Sequence, residues 1–322
     1  MCIFALNPKE RMLHYRFPGQ AVASKNGYFK KLQDLEIKGF ILSHFNNHDR
    51  YFFQESTDSA SVQIIQDEPY TISKTEYLAQ ANEVITLLKG SAMKKLVYSR
   101  VKVETISVSG KVLFDRLEAA YPNAFVYYFQ DPVLGEWIGA TPETLIKGMN
   151  NSFTCMSLAG TKKADDASSW GEKEMEEQNF VSQFIQETLL NHEVQEVTFD
   201  GPKTVQAGPL NHLRTDFHWK STANTAWQIA QDLHPTPAVS GTPVQTATEW
   251  ILSNEKHERL FYAGMIGELQ ADELNVYVNL RCGQIIGDQL YLYLGGGFTA
   301  DSEPEKEWEE TENKSRTLLN LL

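Results

Sequence analysis

The sequence has little cysteine, fewer basic than acidic residues, and no long apolar run. Its three cysteines, Cys2, Cys155 and Cys282, are odd in number, far apart and outside any CxxC or Cys–His spacing. A disulfide framework and a zinc site are therefore not expected, and the cysteines read as packing residues. Lys and Arg total 29 against 42 Asp and Glu, a formal charge of −13. Such a balance opposes phosphate backbones and anionic bilayers unless a local basic patch offsets it, and none is visible. Nucleic-acid and membrane partners are thus not expected. No stretch approaches about 18 consecutive apolar residues, and residues 1–17 lack a basic leader, apolar core and small-residue cleavage site. A cytoplasmic setting is the expectation.

What is present is the composition of a globular protein: 322 residues, 42% hydrophobic and 22% charged. Without an internal repeat or an obvious linker, residues 1–322 are expected to form one large domain. Short strands are predicted at 12–17 and 39–44. A helix is predicted over 73–88, where Ser73 can cap and Glu76 sits three residues on, with Leu78, Val84, Leu87 and Leu88 as its apolar face. A strand at 95–103, a helix at 112–121 and strands at 124–130, 136–139 and 144–148 follow, the last three separated by Asp-Pro and Thr-Pro turns. A long helix over 168–192 carries Phe180, Phe184, Ile185 and Leu189 on one side. Strands near 194–205 and 212–219, helices near 224–233 and 246–253, strands at 263–269, 274–282 and 289–294, and a helix over 304–321 complete the pattern. Strands with segregated helices point to an α+β fold of layered antiparallel β-sheets flanked by helices.

Residues 305–314 hold five glutamates and two lysines, behind Gly295, Gly296 and Gly297. With Pro304 in the first helical turn, Glu307, Glu310 and Lys314 fall on one face, and Trp308, Thr311 and Leu318 can pack on the other. An acidic helix start also suits the positive end of the helix dipole, with no ligand needed. The segment EKEMEEQNF, however, places Glu174 and Glu177 three apart on a second helix. Converging carboxylates repel unless a cation neutralises them, and Mg²⁺ is commonly held by one or two carboxylates plus waters. The glycine run, expected between a strand and the helix, could bring backbone N–H groups close to an anion. Arg281 could grip a carboxylate through two hydrogen bonds.

The ordered blocks KLVYSR, GATPETL, LAGT, EKEMEEQNF, LNHL, HPTPAVSG, YAGMIG, NLRCG and LGGGFTADSEPEKEWEETENK resemble the chorismate-utilising enzymes, the anthranilate synthase component I-like family, and within it most closely the isochorismate synthases. The likeness runs from about Lys95 to the C-terminus, roughly two thirds of the chain; residues 1–72 match poorly and look shortened, and 73–322 carry the motifs. The resemblance implies Mg²⁺ ligands Glu177 and Glu310, with Glu174 and Glu307 acting through bound water. It implies a chorismate site made by Gly160, Thr161, His212, Ala238, Val239, Tyr262, Arg281, Gly295, Gly297 and Lys314, and catalysis complete within one chain, so that a monomer suffices. Water would add at C2 and the C4 hydroxyl depart, with Lys95 as base and Glu143 as acid. Burial or neighbouring cations would help a lysine shed its proton, and burial would help a glutamate keep one. Without the motifs, Lys95 would read as a strand-end surface lysine, Glu143 as an exposed turn residue, His212 as a core histidine and Arg281 as a structural ion-pair partner.

Small differences separate the members of the family. The aminodeoxychorismate synthases carry a nucleophilic lysine where this chain has Ala159, and the anthranilate synthases a glutamine where it has Lys95. Lys95 therefore implies water as nucleophile. Salicylate synthases also keep the lysine and glutamate and go on to lose pyruvate; the apolar pair Ala238 and Val239 favours release of isochorismate, destined for menaquinone or a siderophore. A non-catalytic chorismate-binding protein is the remaining alternative, against which stands the presence of every required residue. Gln178 departs from the family, in which a histidine commonly follows the metal-binding glutamate.

Overall fold

The structure is a computed structural model that describes residues 11–32, 38–57, 66–207 and 210–322. Cys2 lies outside the described residues. The described residues open with β1 (Met12–Arg16), β2 (Ala23–Lys31), β3 (Gly39–Ser43) and β4 (Arg50–Glu55). Helix α1 (Lys74–Gly90) starts where expected: the Ser73 hydroxyl accepts the Glu76 N–H at 3.2 Å. Its buried face is Tyr77, Ala81, Val84, Ile85 and Leu88. Leu78 and Leu87 are only half-buried, because the stripe centred on Tyr77 and Ala81 turns them to its margin.

Next come β5 (Lys95–Thr105), α2 (Gly110–Ala120), β6 (Phe125–Asp131), β7 (Gly135–Thr141), β8 (Thr144–Met149) and β9 (Ser152–Lys163). The sequence reading missed β9. Helix α3 (Glu172–Asn191) begins at an N-cap Gly171, later than expected. It is followed by β10 (Gln195–Ala207), β11 (Leu210–Lys220), α4 (Ala223–Leu233), β12 (Gly241–Thr242) and α5 (Val244–Asn254). The C-terminal part holds β13 (Met265–Leu269), β14 (Glu273–Val278), β15 (Cys282–Ile286), β16 (Gln289–Phe298) and α6 (Pro304–Leu319). The single strand predicted over 274–282 is thus broken: β14 ends at Val278, Arg281 takes a left-handed φ of 49°, and Cys282 begins β15.

Among the described residues the strands form one hydrogen-bonded sheet of 16 in the order β10, β11, β9, β8, β14, β13, β3, β4, β2, β1, β6, β7, β15, β16, β5, β12, and every pairing there is antiparallel. Strand β2 joins the two halves: Ala23–Asn26 pair with β1, and Gly27–Lys31 with β4. A Cβ at Gly27 would lie 2.1 Å from the Gln54 carbonyl oxygen, so only glycine permits this changeover. The halves then face each other across an aromatic core. Phe125 of β6 stacks on Tyr277 of β14 at 4.9 Å, and Phe17 meets the same ring at 6.0 Å. Helices cover the outer faces, α3 on β9 and β11 and α6 on β16 and α1. Among the described residues no helix is long and apolar enough to cross a membrane.

Candidate active site

The site is built where β5 begins and β16 ends. Gly297 pairs with Val97 and Gly295 with Ser99, so the glycines belong to the strand and not, as the sequence suggested, to a turn before the helix. A Cβ at Gly297 would come within 3.1 Å of the Lys95 Cε. At Gly295 it would lie 2.5 Å from the Tyr262 hydroxyl, and at Gly296 3.0 Å from Glu307 Oε2. The three glycines therefore make room for three polar heads, on alternating faces of the strand. The last β15 pair is Cys282 with Tyr293, so among the described residues β16 has a strand partner beyond it on one edge only. Lys314 Nζ fills part of the other edge, donating to the Gly295 carbonyl at 2.7 Å.

Helix α6 is seated by a buried arginine. Arg100 stacks on Trp308 with 3.8 Å to the ring centroid, donates through Nε to Thr311 Oγ1 at 2.8 Å, and pairs with Glu312. Glu312 also pairs with Lys102 at 2.8 Å, and Glu305 with Lys74 at 2.7 Å. Glu310 pairs one turn on with Lys314 at 2.6 Å, and Glu307 accepts from the Ser302 hydroxyl at 2.8 Å. Burial alone would raise the Glu310 carboxyl; Lys314, then Arg281 and Lys95, outweigh it and hold it below its ordinary range.

Glu143 follows Pro142 at the entry to β8. Its carbonyl oxygen accepts the Val278 N–H at 2.9 Å, which ties it to the end of β14. Burial pushes its carboxyl up to about 7, against the opposing charges of Lys95, Lys314 and Arg281. Arg281 donates through Nη1 to Thr317 Oγ1 at 3.1 Å. Burial pulls its own pKa down, while Tyr262, Glu310, Tyr121 and Glu143 pull the other way. Five of the expected residues, Lys95, Glu143, Arg281, Glu310 and Lys314, thus share one electrostatic neighbourhood although they come from β5, the β7–β8 turn, the β14–β15 turn and α6.

Residues 21–322 match the chorismate binding enzymes. The chain belongs to that family. Isochorismate synthase EntC of Escherichia coli (strain K12) is 28% identical over 279 residues, which cover 82% of this chain and 71% of that protein. The solved structure of MenF, the menaquinone-specific isochorismate synthase from Escherichia coli, aligns with a TM-score of 0.79 at 18% identity, over 99% of this chain and 90% of that one. Anthranilate synthase component I from Streptococcus pneumoniae aligns with a TM-score of 0.70 at 16% identity, over 99% and 94% of the two chains. The α+β fold expected from the sequence is the fold observed.

In this chorismate binding enzyme His212 stands on β11 beside Gly160 of β9. Its Nδ1 lies 3.2 Å from the Gly160 carbonyl oxygen, so Nδ1 carries the proton and the lone pair of the neutral ring is on Nε2. Burial lowers its pKa, as do Arg281 and Lys314, while the Gly160 bond and Glu310 oppose them. On the other side of Gly160, whose φ is +66°, a Cβ would meet Glu174 Cβ at 3.1 Å. Thr161 pairs with His212 in the β9–β11 register. Glu174 and Glu177, both half-buried, stand in the first turns of α3. The rotation of α3 is held by buried Gln178, which donates through Nε2 to Ser157 Oγ at 2.6 Å and Thr215 Oγ1 at 3.1 Å. Ala238 and Glu143 line one small cavity, and Val239 is buried beside it in sequence.

Among the described residues no three of His, Cys, Asp and Glu gather into a preformed metal cage. The sequence reading also missed a buried cluster behind β5, made by Ser99, Glu255, His257 and Arg259. The four-residue spacing of Glu255 and Arg259 was visible, but charged residues are so rarely buried that nothing in the sequence marked these two as interior.

Proposed function

We propose that this chorismate binding enzyme is an isochorismate synthase, converting chorismate to isochorismate by adding water at C2 and expelling the C4 hydroxyl. Lys95 takes a proton from the attacking water. Glu143 gives its proton to the departing hydroxyl, which leaves as water while the ring double bonds shift. The feature that carries the reading is the meeting of Lys95, Arg281 and Lys314 with Glu143, whose carboxyl burial pushes up to about 7 against those charges, so that it can keep a proton to donate near neutral pH. Arg281 and Lys314 bind substrate carboxylates, the latter standing at the open edge of Gly295. Tyr262, Gly295, Gly297, Gly160, Thr161 and His212 complete the cradle, with Ala238 and Val239 as an apolar wall that favours release of the product over elimination of pyruvate.

The donor chemistry fits Mg²⁺. Lys314 keeps Glu310 ionised, and single carboxylates completed by waters and a substrate group form the usual seat for this ion. Glu177 and Glu310 would hold it, with Glu174 and Glu307 acting through water. When bound, it supplies positive charge to fix the substrate carboxylate. We read residues 1–322 as one catalytic domain, active as a monomer and cytoplasmic, a setting in which the buried free thiols Cys155 and Cys282 stay reduced. The product is destined for menaquinone or siderophore synthesis. The test is direct: pure protein, chorismate and Mg²⁺ should yield isochorismate alone. Salicylate with pyruvate would make it a salicylate synthase, and no turnover would leave only a binding protein.

A further inference from the structure

Arg259 and Glu255 form an ion pair whose side chains are 2% and 1% exposed. Removing two charges from water costs several kcal/mol per ion, and attraction offsets this only where geometry and further hydrogen bonds are good. Both conditions hold. Arg259 grips the carboxylate with Nε to Oε2 at 2.7 Å and Nη2 to Oε1 at 2.7 Å. Its remaining hydrogen bonds go to backbone, Nη1 to the Val239 carbonyl at 2.8 Å and Nη2 to the Val97 carbonyl at 2.7 Å, and its guanidinium lies over the Phe45 ring, 4.4 Å from the centroid. Glu255 Oε1 in turn accepts the Ser99 N–H at 2.7 Å and the Ser99 hydroxyl at 2.9 Å. With that hydroxyl proton spent on Glu255, His257 Nε2, at 3.0 Å, must be the donor to Ser99 Oγ.

The segments that the pair joins matter more than its own stability. Val97 and Ser99 are the second and fourth residues after Lys95 on β5, so they share its face of the strand. Val239 belongs to the wall segment between α4 and β12, and the Arg259 carbonyl accepts the Tyr262 N–H at 2.8 Å. One guanidinium therefore braces the lysine-bearing strand against the apolar wall, beside the Val97 N–H that donates to the Ser240 carbonyl at 2.8 Å, and its own backbone anchors the tyrosine under Gly295.

We propose that the buried Glu255–Arg259 pair is a positioning device for the reaction centre, holding the Lys95 strand and the Val239 wall at the spacing that hydration needs. This rests on the functional reading above. The test compares wild type, Arg259→Lys and the double variant Glu255→Met/Arg259→Met. Lysine keeps the charge but, as a point donor, cannot serve four acceptors in one plane. The double variant removes both charges together, which cores often tolerate. In folded samples, checked by circular dichroism and thermal melting, kcat should fall about a hundredfold, the loss that misplacement by about 1 Å brings. KM for chorismate should stay within about threefold of wild type, and the pH–rate profile should be displaced. Unchanged kcat in either folded variant, or a loss matching only the unfolded fraction, overturns the proposal. If wild type converts chorismate to another product, the functional reading falls and the same kcat–KM comparison is made on that product. If it converts none, acetic anhydride labelling of Lys95 against pH, read by mass spectrometry, replaces turnover, and an unchanged profile in the folded variants overturns the proposal.

Discussion

At Glu143, burial and charge pull in opposite directions, and burial prevails despite three neighbouring cations. The functional consequence is a pH limb: kcat/KM for hydration should fall as pH rises through about 7, where the acid of the free enzyme loses its proton, and a kcat/KM–pH profile flat across that region would remove Glu143 from the role. There is also a stability consequence with a definite sign. The folded-state value is raised above the ordinary 4.5, so the folded state binds the proton more tightly than the unfolded chain. Its contribution is fully present below the unfolded value and is lost as pH rises through the folded one. Glu143→Gln should therefore melt higher than wild type at pH 8, with the difference shrinking toward pH 5, while losing turnover. Lys95→Gln should stay folded and bind chorismate but stop adding water, as followed by isochorismate formation. Both residue types and their motif spacing were legible in the sequence. The environment of Glu143 was not, because the cations that act on it, Lys95, Lys314 and Arg281, come from segments remote in sequence.

The element that decides the site is β16. Its glycines were expected to lie loose ahead of a helix, and instead they continue the strand as far as Phe298. They are needed for the space they leave. Gly295→Ala should destabilise by about 1–3 kcal/mol, the usual cost of overpacking, because the new methyl meets the hydroxyl of buried Tyr262 at 2.5 Å. Adding Tyr262→Phe should recover much of that loss in a denaturant-melt cycle, and strictly additive losses would show that the hydroxyl is not the obstacle. Periodicity located most of these elements, including α1 and its serine cap. It could not see that the 274–282 run breaks at Arg281 or that β16 runs on through three glycines. Strand propensity disfavours glycine, and here pairing with β5 prevails.

For the molecule as a whole, the doubled-over sheet brings together ends of strands that are far apart in the chain. Chelation should abolish turnover, and Mg²⁺ should restore it; Glu310→Ala should lose metal-dependent turnover while staying folded, and full activity in excess chelator would refute the metal assignment. Specific activity should also be constant on dilution if one chain suffices. The sequence by itself determined the family, the α+β class, the acidic segments of two helices and the lysine and glutamate at their motif positions, because these are local patterns of side-chain type. Only the tertiary structure decided that Lys95, Glu143, Arg281, Glu310 and Lys314 act on one another, that Glu312 turns away to Arg100, and that Arg259 and Glu255 are interior. The reason is that charge coupling and desolvation depend on distance and burial, which strand order sets and adjacency in the chain does not.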